Sequence, residues 1–185
     1  MLKSELRIIY KEKRLSLTDK EKYAFDLSIS EGIKKFILEQ QCKKVHVFLP
    51  IQKWKEFNSF LLLNDKDLNH VNFYVPVVED GEMTTVKFNS ETLAISEWGI
   101  PEPKGDKVSD LSDLDMVIVP LLVCDIKGNR VGFGKGFYDR FFKSIPDTVK
   151  KVGVSYFLPI RDSIEVDDWD IALNGVFLPT GYMEF

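Results

Sequence analysis

At 185 residues, 44% apolar and 29% charged, the chain is long enough to bury a sizeable core and reads as one soluble globular domain spanning 1–185. A formal charge of -4 gives no support to binding nucleic acid or a membrane surface, which both ask for a basic face. No apolar run approaches the roughly 18 residues of a membrane helix, and the alternating charges after Met1 predict no secretory signal.

Leu2, Leu6 and Ile9, with charges between them, predict a short amphipathic helix ending before Ser16. Thr18 and Glu21 form a capping box at the start of a second helix, which runs towards residue 40 with Tyr23, Leu27, Ile33 and Ile37 near one face. Val45–Leu49 is expected as a buried strand closed by Pro50, Glu56–Leu63 as a helix and Val71–Val75 as the next strand. Asp80-Gly81 marks a turn into a hairpin partner, Thr84–Phe88, and the proline- and glycine-rich stretch from Trp98 to Lys107 reads as a loop.

Met116–Val119 and Leu121–Val123 form a continuous apolar run, the pattern of a central strand covered on both faces. Gly128-Asn129 is a turn, Phe137–Lys143 opens a helix, and Lys151–Tyr156 and Gly175–Leu178 supply the last strands. This alternation predicts an α/β fold, a single-domain layered sandwich with a mainly parallel central sheet flanked by helices. Cys42 and Cys124 lie far apart beside apolar runs and are expected as buried thiols in a reducing, cytoplasmic compartment. Neither His46 nor His70 has metal-ligand neighbours.

The most informative segment is Arg130-Val-Gly-Phe-Gly-Lys-Gly-Phe-Tyr-Asp139, placed between a buried strand and a helix, where α/β proteins put phosphate sites. Gly132, Gly134 and Gly136 let backbone N–H groups approach an anion. Lys135 adds a mobile charge, Arg130 a fork of donors, and Asp139 a carboxylate able to hold Mg²⁺. The spacing matches neither a P-loop nor G-x-G-x-x-G, whose sixth position is Phe137 here. Read on physics alone, the segment is either an anion-binding loop or a tight glycine-rich connection with a solvated lysine.

Pro120–Asp125, Gly128, Arg130, the run G-F-G-K-G-F-Y-D and Arg140 resemble the main motif of the 5-formyltetrahydrofolate cyclo-ligase family. Phe137 stands where that family commonly has tyrosine. The resemblance implies conversion of 5-formyltetrahydrofolate and ATP to 5,10-methenyltetrahydrofolate, ADP and phosphate, with Mg²⁺ as cofactor. It implies small-molecule partners alone, and a monomer is expected.

The resemblance also implies residue roles. Lys135 is the catalytic candidate. ATP binding falls to Lys3, Arg7, Arg130, Gly132, Phe133, Gly134, Lys135, Gly136, Phe137 and Tyr138. Folate binding falls to Ile51, Glu56, Phe133, Gly134, Lys135, Gly136 and Phe137, with the Glu56 carboxylate set against the adjacent N–H groups of the pterin. Asp139 and Asp170 are the metal candidates; Asp170 lies in Trp169-Asp170-Ile171, which resembles the family's W-D-V element but also reads as an acidic surface loop.

Lys3 and Arg7 share a helix face and, by charge pattern alone, read as a solvated basic edge, a reading that the resemblance reverses; Lys11 and Arg14 are expected at the surface. Trp98–Pro103 resembles the family's G-x-x-E-P element and reads equally as a structural loop. Two rivals remain for the phosphate loop: a sugar-phosphate isomerase or deaminase that consumes no ATP, and a module that binds nucleotide or folate without turnover.

Overall fold

The structure, a computed structural model, describes residues 1–95 and 101–185. Two helices, α1 (Lys3–Ser16) and α2 (Asp19–Glu39), precede β1 (Lys44–Val47). After α3 (Phe60–Leu63), β2 (Asn72–Glu79) and β3 (Glu82–Lys87) form a hairpin, followed by the two-residue strands β4 (Ala94–Ile95) and β5 (Pro101–Glu102). β6 (Met116–Pro120) leads to a small hairpin of β7 (Val123–Cys124) and β8 (Arg130–Val131). α4 (Phe137–Phe142), β9 (Lys150–Val154), β10 (Gly175–Leu178) and β11 (Gly181–Glu184) complete the chain.

One seven-stranded sheet has the order β11-β10-β9-β6-β1-β2-β3. Its five inner strands are parallel, and β3 and β11 close the edges as antiparallel hairpin partners. Side chains alternate across it, as a pleated strand requires. Met116 and Ile118 of β6 join Val45, Val47, Val152, Val154 and Phe177 beneath Ile29, Ile33 and Ile37 of α2. Val117 and Val119 face the other way, onto Phe141, Phe142 and Ile145. Leu6 anchors α1 separately, against Val123, Val131 and Ile164.

The predicted fold class holds, with local corrections. The apolar run after Met116 is not one strand: it ends at Pro120, which has no N–H for a further ladder bond, and β7 turns away to pair with β8. Tyr23 and Leu27 are exposed, not buried; the buried face of α2 runs through Asp26, Ile29, Ser30, Ile33 and Ile37. A carboxylate can occupy that face because Asp26 accepts from the Tyr156 hydroxyl at 2.6 Å, the Asn58 N–H at 3.3 Å and Lys22.

Glu56–Leu63 is not one helix either, since α3 begins only at Phe60. The expected loop after Trp98 contains β5, which pairs with β4; Trp98 and Gly99 themselves lie outside the described residues. Both cysteines are free and buried, and burial pushes the Cys124 thiol up to about 12.

Strand order reverses between β1 and β6. From β1 the chain moves outward to β2 and β3, then returns to place β6 and the later strands on the opposite side. A reversal of this kind leaves a crevice at the carboxyl ends of the two strands, where open α/β sheets bind ligands.

Candidate active site

That crevice is a cleft of about 1470 Å³, lined by Phe48 and Leu49 after β1, Pro120 at the end of β6, and the glycine loop after β8. The short β7–β8 hairpin aims the loop into it. Gly134 (φ +86) and Gly136 (φ +65) adopt left-handed backbone conformations that side chains disfavour. At Gly134 a Cβ would also come within 3.1 Å of the Arg7 guanidinium, whose Nε donates to the Gly132 carbonyl at 2.9 Å. The helix spacing of Lys3 and Arg7 therefore points both at one wall of the cleft.

Lys3 meets Asp167 at 3.1 Å and pairs with Asp170. Burial works against the Lys3 ammonium, but the bonds to Asp170 and Asp167 outweigh it and raise its pKa. Arg130 donates to Asp139 Oδ1 at 2.7 Å and to the Ile171 carbonyl, while the Ile171 N–H donates to the same carboxylate oxygen at 3.2 Å. The loop and the 167–171 segment are thereby tied together. Of the four predicted cations, Lys135 alone makes no side-chain hydrogen bond among the described residues, and it is exposed at the cleft; its carbonyl accepts from Arg140 at 3.1 Å.

After β1, Gln52–Trp54 form a 3-10 turn and Lys55 takes a left-handed conformation (φ +48). This reversal, and not a helix start, sets Glu56: its carboxylate folds back to accept the Ile51 N–H at 2.7 Å. Only 4% of Glu56 is exposed. Burial raises its pKa, opposed by the Ile51 bond and by the charges of Arg14 and Lys22.

All the predicted site residues line the one cleft. Tyr138 also packs against the core, and its buried hydroxyl has no partner among the described residues. Of the G-x-x-E-P element, Pro101, Glu102 and Pro103 reach the wall.

Two residues escaped the sequence reading. Trp54 lines the cleft, its ring 6.0 Å from Phe133 and capped by the Lys11 ammonium at 3.9 Å. Arg14, expected at the surface, is buried with 4% exposed. Its position seven residues after Arg7, two turns along the same helix face, was the available signal.

The magnesium implied by the resemblance finds two carboxylates here, Asp139 and Asp170. Among the described residues, no three His, Cys, Asp or Glu side chains converge. Each aspartate keeps one oxygen, Oδ2 of Asp139 and Oδ1 of Asp170, outside the hydrogen bonds of the described residues. This donor set fits Mg²⁺, which commonly takes one or two protein carboxylates and completes its shell with water and substrate phosphate.

A mainly parallel sheet with a large cleft at its switch point, lined by a glycine loop, gives the chain the architecture of the α/β proteins that bind small molecules at that place. Residues 1–179 match the model of the 5-formyltetrahydrofolate cyclo-ligase family. The NMR structure of 5,10-methenyltetrahydrofolate synthetase from Aquifex aeolicus superposes with a TM-score of 0.83 at 30% identity, covering 100% of this chain and 93% of that one. A 5-formyltetrahydrofolate cyclo-ligase of Haemophilus influenzae is 25% identical over 95% of this chain and 97% of its own length. A probable one from Schizosaccharomyces pombe is 28% identical over 96% and 95%. The chain belongs to the 5-formyltetrahydrofolate cyclo-ligase family.

Proposed function

We propose that this enzyme converts 5-formyltetrahydrofolate to 5,10-methenyltetrahydrofolate with consumption of ATP in the presence of Mg²⁺. The carrying observation is that one cleft is lined by unlike groups: a glycine loop with Lys3, Arg7, Arg130 and Lys135, and the buried Glu56 carboxylate. The first suits a triphosphate and the second the adjacent ring and amino N–H groups of a pterin.

A formamide oxygen is a poor leaving group, and phosphorylation answers that problem. The formyl oxygen attacks the γ-phosphorus of ATP, ADP departs, and the formyl carbon carries an imidate-type phosphate. N10 then attacks that carbon, closing the five-membered ring; phosphate leaves with the former formyl oxygen, and the N10 proton is released. Such a reaction asks the protein for alignment and charge neutralisation.

Lys135, whose ammonium has no partner among the described residues, is placed to follow the moving phosphoryl group. Arg7 and Arg130 orient the nucleotide against the loop, with Lys3 at its edge. Glu56 and Ile51 fix the pterin, and Phe133, Phe137 and Trp54 offer apolar walls. Asp139 and Asp170 would hold magnesium, which would supply positive charge for the phosphate oxygens. The two buried, unpaired thiols support a reducing, cytoplasmic setting.

The test is the absorbance of the conjugated methenyl product formed by purified protein from 5-formyltetrahydrofolate, with and without ATP and magnesium. Growth that requires both supports the reaction. No product from folded protein under either condition sinks it, and product without ATP overturns the phosphorylation step.

A further inference from the structure

Glu56 is buried beside an arginine that the roles above leave unused. Arg14 projects from the last turn of α1 and is itself almost wholly buried. Its Nη1 donates to the Leu121 carbonyl at 3.3 Å, whereas Nε and Nη2 have no partner among the described residues. Its guanidinium lies 5.2 Å from the Phe133 ring of the glycine loop. Arg14 and Glu56 both line a small space of about 10 Å³, walled also by Phe48, Phe57, Leu122 and Tyr156. The two side chains do not form a direct ion pair.

A guanidinium with two idle nitrogens is expensive to bury in an apolar setting unless a negative charge compensates it. Glu56 supplies that charge, and the space is of the order that holds one water. Resting on the folate role of Glu56, we propose that Arg14 is the positioning residue that keeps the Glu56 carboxylate ionised and aimed at the pterin N–H groups, acting across the small space that both side chains line. Arg14 touches no substrate. Through Phe133 it also braces the loop, so the folate and phosphate walls share one support.

The geometry explains why an arginine suits the place. Lys22 also favours the Glu56 anion, but its ammonium is held by Asp26. Tyr156 donates its hydroxyl to Asp26 as well, leaving Arg14 to face Glu56 from α1. A guanidinium cannot give up its proton here, so the support does not fade with pH.

The test reads the carboxylate directly. In unliganded protein labelled with ¹³C at glutamate side chains, with Glu56 assigned by Glu56→Gln, the Glu56 titration is followed in wild type, Arg14→Met and Arg14→Lys. The midpoint is expected to rise in Arg14→Met and to return most of the way in Arg14→Lys. An unchanged midpoint in folded Arg14→Met overturns the proposal. Should Arg14→Met fail to fold, a midpoint in Arg14→Gln equal to wild type overturns it equally.

Folate affinity is then titrated without ATP. Arg14→Met is expected to bind 5-formyltetrahydrofolate about tenfold more weakly at neutral pH and to recover as pH rises, because only the ionised fraction is competent. A loss that does not vary with pH overturns the proposed mode of action. Full folate binding by Glu56→Gln would instead remove the pterin role of Glu56, while the Arg14-dependent midpoint would still report the pairing.

Discussion

His46 stands on the central strand β1 with its ring wholly buried, and both ring nitrogens lack partners among the described residues. It faces α4, 4.7 Å from the Phe141 ring and 6.5 Å from Tyr138. Burial alone lowers its pKa from 6.5 to about 3, so the native ring stays neutral where an unfolded one takes up a proton. A depressed folded value gives stability that is present above 6.5 and lost as pH falls towards 3.

At about 1.4 kcal/mol per unit, the loss from this one group reaches about 2 kcal/mol by roughly pH 5. The comparison is urea unfolding of wild type and His46→Leu from about pH 5 to 7.5, with the leucine variant removing the titration but keeping an apolar side chain. The expected result is a stability difference that shifts by about 2 kcal/mol in favour of the variant as pH falls across that range. Any constant offset from repacking cancels in that slope. Parallel pH curves would refute the argument, because they would mean that His46 binds its proton equally in both states.

Lys135→Ala is expected to lower kcat/KM by at least about 30-fold, or 2 kcal/mol of transition-state stabilisation, with an unchanged unfolding midpoint. Near-normal turnover would remove Lys135 from the chemistry. Asp139→Asn weakens a carboxylate that now serves Arg130 and the Ile171 N–H, and is expected to raise the magnesium concentration needed for half-maximal rate. A superimposable magnesium titration would place the ion elsewhere. Gly128 has φ +82, and a Cβ there would lie 2.5 Å from the Leu173 carbonyl oxygen and 2.9 Å from the Phe185 ring. Gly128→Ala is therefore expected to cost about 2 kcal/mol or more in urea unfolding; an unchanged midpoint would show that the turn relaxes freely.

Much of the architecture was written locally. Thr18 and Glu21 start α2 because each satisfies the other's exposed backbone N–H, at 3.2 and 2.8 Å, and nothing distant is needed. The buried strands and the glycine loop were legible for a similar reason: period-two burial, continuous apolar runs and left-handed glycines leave their mark within a few residues. The spacing of Lys3 and Arg7 likewise sets both on one helix face before any tertiary contact forms.

What needed the tertiary structure was the identity of each side chain's partner. Tyr23 looks like a core residue until Asp26 is seen to find Tyr156 and Asn58 from other elements. Glu56 reads as a helix-start carboxylate until the Lys55 reversal returns it to the Ile51 N–H. Arg14 looks solvated until α1 docks it behind Glu56. Asp139 and Asp170, 31 positions apart in the chain, become parts of one wall only through Arg130, Lys3 and the 167–171 segment. Periodicity and turn chemistry are properties of neighbouring residues, so the chain carries them openly. The burial of a charge depends on which distant group compensates it, and that is settled only when the sheet and helices close around it.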